Sequence, residues 1–384
     1  MISTVTIILS SVLILLALLS TLMNPFFRVP ITKSMHDYSE ESGSENDCPP
    51  LSVIVMVNDY IDILERNLPL LLEQEYKPGF QVIIVADKGN TQADDMIKRF
   101  CDNPHLFFTF IPNTSRYISR EKLGITLGIK AAQNDWCVLL EGNSYPVSRH
   151  WLQHIGKECT DEKNIVIGYS NYENSSKAYQ RFLRLQHFAY LWRECLKGKP
   201  YSANESNLAF RKSEFINNDG FRGNLHIIRG EFDFIVNKFA QEKKAAVVTS
   251  KEGSLIEVKP TLKKWHRRRI FYIHSRRHMK RGFRHSLLPC MDSFFLHLSW
   301  LSTVVLGVAS VAFANYIILS AAVLSLILLI AGRVLIDRKA ISAFSADISS
   351  WRIIPIELAS IWHSLADKIR YYRADSYDFT CHKL

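Results

Sequence analysis

The stretch CVLLEGNSYPVSRHW, residues 137–151, carries an apolar run of strand character straight into Glu141-Gly142-Asn143. A carboxylate and an amide oxygen two residues apart at such an end suit a hard cation or a phosphate held through one. An ordinary turn is the competing reading. Two further apolar runs end in polar groups: LSVIVMV (51–57) in Asn58-Asp59, and QVIIVA (81–86) in Asp87. Asp87 can accept hydrogen bonds from a base or a ribose, although a loop carboxylate in water is about as common at this spacing. Lys122 opens EKLGITLGIKAA (121–132), where a phosphate would meet a helix N-terminus. An isolated lysine there is more often solvated.

These groups act together only if the fold gathers them. The runs LSVIVMV, QVIIVA, LFFTFI (106–111), WCVLL (136–140) and NIVIG (164–168) alternate with helical pattern at 61–74, 91–101, 121–133 and 178–197. In the last of these, Phe182, Leu185, Phe188, Ala189, Trp192 and Leu196 recur at helical spacing. The alternation predicts an α/β domain, a mainly parallel sheet with helices on both faces. Ligands of such sheets sit at the C-terminal strand ends. Asp87 and Glu141 are therefore expected on one rim.

Apolar blocks flank this region. Residues 5–23, VTIILSSVLILLALLSTLM, are uncharged and long enough to cross a bilayer. They lack the positive lead and small-residue cleavage site of a signal peptide. Arg28 and Lys33 follow, which by positive-inside logic places the next domain in the cytosol. Residues 293–332 contain no Lys, Arg, Asp or Glu and make two crossings turning near Ala314-Asn315, with Arg333, Arg338 and Lys339 marking the return. Residues 351–373 mix apolar and charged positions and suit an interfacial helix. The expected organisation is an N-terminal transmembrane anchor (1–28), a polar linker (29–50), an α/β domain (51–262), a basic interfacial segment (263–289), a transmembrane hairpin (290–333) and a cytosolic or interfacial tail (334–384).

Composition narrows the partners. Seven scattered cysteines with no CxxC pair argue against a disulfide framework or a zinc cluster and fit a reducing compartment. The net charge of +10 has one source, because residues 263–285 carry ten Lys/Arg and no acid. There the cations interleave with Trp265, Ile270, Phe271 and Tyr272, just ahead of an apolar block. That composition suits a helix on an anionic leaflet, so membrane lipids, and no nucleic acid, are the expected partner.

In order and spacing, LSVIVMV, ILERNLPLLLEQEYKPGFQVIIVADKG, EKLGITLGIKAAQNDWCVLLEGNSYPVSRHWL, NLAFRKSEFINNDGFRGN and RGEFDFIVNKFA resemble a membrane-anchored family 2 glycosyltransferase. The likeness covers roughly residues 50–270 and points to the GT-A-type, bacterial processive-synthase-like branch. It implies a hexosyltransferase of the inner (plasma) membrane, multi-pass with its catalytic domain cytosolic. The reaction implied is inverting transfer from a nucleotide-sugar donor, UDP-sugar favoured, to a cell-surface glycan or lipid-linked acceptor. It further implies a divalent cation (Mg²⁺ or Mn²⁺) on Glu141 and Asn143, and Glu231 or Asp233 as the catalytic base. Nucleotide contacts would come from Asn58, Asp87, Lys122, Arg267, Arg268 and Arg269.

Four departures accompany the resemblance. Glu141-Gly142-Asn143 replaces Asp-x-Asp, and Gly230-Glu231-Phe232-Asp233 puts phenylalanine at the middle of an acidic motif. Ala203-Asn204-Glu205-Ser206 replaces a Gly-rich lead-in, and Trp265 is followed by His266-Arg267-Arg268-Arg269 without the glutamine of processive relatives. They keep a second expectation open: a catalytically degenerate homologue acting as a membrane-bound binding or assembly partner.

Overall fold

The structure, a computed structural model, describes residues 3–27, 48–57, 60–112, 119–344 and 346–380. Asn58, Arg28, Lys33 and most of the expected linker lie outside the described residues. The chain divides into two compact units, Met1–Ile31 with Arg281–Ala366, and Thr32–Lys280 with Asp367–Leu384.

Helix α1 (Thr4–Met23) opens the first unit. The second unit begins β1 (Leu51–Met56), α2 (Ile61–Leu72), β2 (Phe80–Asp87), α3 (Thr91–Phe100), β3 (Leu106–Ile111), α4 (Arg120–Ala131) and β4 (Trp136–Glu141). It continues β5 (Ser144–Pro146), α5 (Trp151–Glu158), β6 (Ile165–Ile167), β7 (Ser170–Tyr172), α6 (Ala178–Lys197), β8 (Leu208–Arg211) and α7 (Lys212–Asn217). The last elements are α8 (Glu231–Phe239), β9 (Ala245–Val247), β10 (Leu255–Glu257) and α9 (Leu262–Arg277).

Seven strands form one sheet in the order β3-β2-β1-β4-β8-β6-β9, and β5-β10-β7 form a second. The first four strands of the large sheet are parallel, whereas β8 runs antiparallel to both β4 and β6. Every residue of β1 is buried, as a strand covered on two faces requires. On one face Val53, Val55 and Val57 pack with Leu64 and Leu68 of α2, Met96 of α3 and Trp151 of α5. On the other face α4 approaches closely: a Cβ built on Gly128 would lie 2.6 Å from Ile54 Cγ2, and one on Gly124 2.3 Å from Met56 Cε. Glycine at those two positions sets the helix-to-sheet distance.

The strand-length runs and helical patterns of the sequence appear as β1–β4, β6, α2–α4 and α6. The short strands β5, β7, β9 and β10 span three residues each, too few for a period to register.

In the first unit α1 is joined by α10 (Gly282–Ala312), α11 (Tyr316–Ala343) and the beginning of α12 (Ser350–Arg373). Helices α1, α10 and α11 are long and apolar enough to cross a membrane. The turn between the last two lies at Phe313–Asn315, where the Asn315 side chain accepts from Ile318 N at 3.2 Å and starts α11.

The charges bounding the uncharged run behave differently from the sequence expectation. Arg333 is not a surface cation marking the end of a span, because its side chain is fully buried. It donates to Glu357 of α12 (2.8 and 2.5 Å), Asp292 of α10 (3.0 and 3.1 Å) and Ser20 O of α1 (2.8 Å). One guanidinium thus ties four helices, using the planar fork that a lysine lacks. Replacing it by methionine strands two buried carboxylates. We expect Arg333→Met to destabilise the detergent-solubilised protein by roughly 3–5 kcal/mol in thermal unfolding, with most of the loss recovered on adding Asp292→Asn and Glu357→Gln.

Candidate active site

Backbone register assembles a cluster of charges at the C-terminal edge of the parallel strands. Met56 at the end of β1 is paired with Val85 on one side and Glu141 on the other. Asp87 and Glu141 therefore lie on the same edge, one strand apart from each other across β1. Because β8 is antiparallel, with Leu208 opposite Leu139, the loop entering it arrives at this edge and delivers Glu205. Strand β10 pairs with β5, placing Glu257 opposite Ser144, and Val258 N donates to Asn143 O at 3.0 Å. Three carboxylates remote in sequence are brought together by this register.

The loop that carries Glu205 is strained. Glu205 (φ 64°) and Asn207 (φ 66°) both occupy the left-handed region. Asn207 is held there by its side chain, which donates to Tyr169 O and Gly253 O at 2.9 Å each and accepts from Trp151 Nε1 at 3.1 Å.

Two arginines join these carboxylates. Arg268 of α9 donates through Nη2 to Glu141 (2.5 Å) and through Nη1 to Glu257 (2.5 Å) and Glu205 (3.1 Å). Arg184 of α6 reaches Glu205 at 2.5 Å and Glu257 at 2.8 Å. Burial pushes the Glu141 carboxyl up, against the pull of Arg268. Burial acts the same way on Glu257, but Arg268 and Arg184 outweigh it and hold that carboxyl below its ordinary range. Burial disfavours the charge on Arg268, yet the three carboxylates raise it well above its ordinary value.

A second group faces the same cavity. Arg229 pairs with Glu121 at 2.6 Å and stands 3.7 Å from Glu231. The loop bearing Arg229 and Glu231 is fastened to the start of α4. Ser119 Oγ donates to Ile228 O at 2.6 Å, and the Lys122 ammonium donates to Asn224 O (2.7 Å), Asn224 Oδ1 (2.6 Å) and Ile227 O. Gly230 then turns into α8 at φ 95°, and a Cβ there would stand 2.5 Å from Ser275 Cβ. The cavity is lined by Glu141, Glu257 and Arg268 of the first group and Glu121, Arg229 and Glu231 of the second, with Tyr60, Phe232, Trp265, Arg267 and Tyr272 among its walls.

The residues singled out in the sequence divide accordingly. Glu141, Glu231, Arg267 and Arg268 line the cavity. Lys122 does not: its ammonium is buried on three oxygens, so it secures a loop instead of meeting a phosphate. Arg269 turns to Asp367 of α12 and stacks over Trp265 at 5.0 Å. Asp233 is buried, accepting from Ala203 N (3.0 Å) and Arg276 Nε (2.8 Å), which is a structural arrangement. Asp87 is half-exposed and paired with Arg120 at 2.5 Å, away from the cavity walls. Asn58 lies outside the described residues. Glu121, Arg184, Arg229 and Glu257 were not singled out, since nothing in their local sequence marks them.

The donor set does not fit a divalent cation held by Glu141 and Asn143. Glu141 Oε2 is taken by Arg268 at 2.5 Å, and Asn143 donates its amide nitrogen to Glu257 at 3.0 Å, its buried Oδ1 having no hydrogen-bond partner among the described residues. Among the described residues no group of three or more His, Cys, Asp or Glu is arranged to hold a metal ion.

With this geometry in hand, the chain can be set beside known proteins. No protein-family model matches the sequence, and no curated protein sequence matches it. Among solved structures, the mannosyltransferase PcManGT from Pyrobaculum calidifontis in complex with GDP-Man and Mn²⁺ aligns with 93% of this chain and 98% of its own, at 14% identity and TM-score 0.52. Structures of S. aureus TarS 1-349 with UDP and with UDP-GlcNAc align with 82% of this chain and 92% of their own at 12% identity, with TM-scores of 0.43 and 0.42. The chain has a glycosyltransferase fold.

Glu121 supplies a pH signature for the cavity. Burial, reinforced by Glu231 and Glu141 and opposed by Arg229, pushes its carboxyl from 4.5 up to about 8. The folded state then binds a proton that the unfolded state releases, so this stabilisation is full below pH 4.5 and is lost as pH rises through about 8. We expect the unfolding temperature of the wild type to fall across that window, and Glu121→Gln to flatten the fall in a thermal-unfolding pH series.

Proposed function

We propose that the protein is a membrane glycosyltransferase of GT-A type that transfers a hexose from a nucleotide-sugar donor to a cell-surface glycan or lipid-linked acceptor with inversion. A UDP-sugar is the favoured donor, and a GDP-sugar, as bound by the mannosyltransferase, is the other class to test. The observation that carries this reading is Glu231. It is 4% exposed, it lines the cavity, and its Oε2 has no hydrogen-bond partner among the described residues. A buried carboxylate oxygen without a partner is costly unless a ligand hydroxyl is to meet it.

In this reading Glu231 takes the acceptor proton as the hydroxyl oxygen attacks the anomeric carbon. Arg267 and Arg268 meet the leaving diphosphate, and the nucleoside extends along the strand edge toward Asp87. Phe232, also in the wall, cannot take a proton, and Asp233 positions α8 against Ala203 and Arg276. The α/β domain works on the cytosolic side of the plasma membrane, held there by α1, α10 and α11 and by the basic residues of 263–289.

One observation favours the second reading, a degenerate homologue that binds without turnover. Glu141 is already paired with an arginine, unlike a carboxylate waiting for a metal. Release of UDP or GDP from a panel of nucleotide sugars separates the two. Release supports the enzyme, binding without release supports the homologue, and no nucleotide binding defeats both. For an active enzyme we expect Glu231→Gln to lower the release rate by about 10²–10⁴-fold at unchanged unfolding temperature. Asp233→Asn should instead lower stability by roughly 2 kcal/mol.

A further inference from the structure

We propose that Arg268 stands in for the divalent cation at the end of β4, so that the donor diphosphate binds to this protein without metal. This rests on the nucleotide-sugar reading above and says how that same site handles the charge of its ligand.

The geometry around Arg268 is that of a cation site. Carboxylates from three separate segments, Glu141, Glu205 and Glu257, converge on one positive centre at 2.5, 3.1 and 2.5 Å. The neighbouring groups reinforce it. Asn143 donates through Nδ2 to Glu257 Oε1, the same oxygen that accepts from Arg268, and its buried Oδ1 has no hydrogen-bond partner among the described residues, so it is Arg268 and not this amide that opposes a metal. Arg184 supplies a second fixed cation to Glu205 and Glu257, whereas Glu141 is paired with Arg268 and attracted more weakly by Arg229.

A divalent ion and Arg268 exclude each other here. A guanidinium does not lose its proton in a protein, so Mn²⁺ can take Glu141 Oε2 only if Nη2 of Arg268 gives that oxygen up. Its helix is fixed on either side, by the buried Trp265 and by the pairing of Arg269 with Asp367. Arg268 also keeps capacity for a ligand. Of the five N–H donors of a guanidinium, Nη2 makes one contact and Nη1 two, and Nε makes none among the described residues. The side chain is 19% exposed and lines the cavity, so Nε and the second Nη2 proton can meet phosphate oxygens.

The step balances without a metal. The bond from the anomeric carbon to the β-phosphate oxygen breaks and its electron pair stays on the diphosphate. The acceptor oxygen bonds to the anomeric carbon and its proton passes to Glu231. Arg268 remains protonated throughout and stabilises the charge developing on the diphosphate.

The test is calorimetric titration of the purified full chain in detergent with UDP and with GDP, in excess EDTA and in excess Mn²⁺. We expect one nucleotide to bind in EDTA with a Kd that Mn²⁺ improves by less than about tenfold. Binding that requires Mn²⁺, or improves beyond that, overturns the inference and leaves the glycosyltransferase reading standing. No binding of either nucleotide in either condition defeats that reading and the inference with it. A variant carries the argument further. Arg268→Gln should lose nucleotide binding in EDTA, while Arg184 still holds Glu205 and Glu257. Nucleotide binding in EDTA by a folded Arg268→Gln protein would overturn the inference. If that variant does not fold, the wild-type pair of titrations decides alone.

Discussion

A guanidinium drawn partly out of water must keep its proton, and the α/β unit is arranged around one that does. Arg268 needs Glu141, Glu205 and Glu257 together, and they come from the end of β4, the entry to β8 and the end of β10. Each arrival depends on a different feature of the chain. Glu141 requires the parallel register of β1 and β4, Glu205 requires β8 to run backwards, and Glu257 requires the small sheet in which β10 pairs with β5. Removing any one carboxylate leaves charge underground with too few partners, which is why such clusters fix geometry more than they add stability. The other unit repeats the device independently: Arg333 gathers Ser20, Asp292 and Glu357 from α1, α10 and α12.

Backbone strain collects beside the same charges. Glu205 and Asn207 hold left-handed conformations that side chains disfavour, and Gly230 holds one that its crowding by Ser275 makes glycine's alone. The two strained segments bring the two carboxylates that an acceptor and a diphosphate would each need nearby, Glu231 directly and Glu205 through Arg268. The strain is offset locally by the three hydrogen bonds of the Asn207 amide and by the Lys122 and Ser119 contacts that pin residues 224–228.

Much of the scaffold was legible in the sequence because long buried strands and amphipathic helices carry a period. The apolar runs at 51–57, 81–86, 106–111 and 136–140 became the parallel half of the large sheet, and the three long apolar stretches became α1, α10 and α11. What sequence reasoning missed lies in three-residue strands and in long-range pairing. Glu257 follows two residues of apolar strand and looks like any solvated glutamate, yet the β5–β10 register buries it. Lys122 looked like a phosphate ligand because its position in α4 was read without the loop at 224–228, which approaches only in three dimensions. Arg269 and Arg268 are adjacent in sequence, but helical geometry points them about 100° apart, one to Asp367 and one to Glu141. Arg333 sits at the margin of an uncharged run, where a membrane-boundary cation belongs. No local signal told of its carboxylate partners, because Asp292 is at the other margin and Glu357 lies on the next helix.

The sign of the cavity follows from its walls. Four carboxylates, Glu121, Glu141, Glu231 and Glu257, face four cations, Arg229, Lys264, Arg267 and Arg268. With every group ionised the walls sum to zero, a poor setting for a diphosphate. Glu121 changes that balance, because its carboxyl is pushed up to about 8 and so holds its proton at neutral pH. That proton leaves the walls less negative than full ionisation would make them. A site whose cation is built into the protein must also hold that cation when no donor is present, and the ring of carboxylates does so. The acids around Arg268 are therefore what holds a partly buried arginine at the cavity wall.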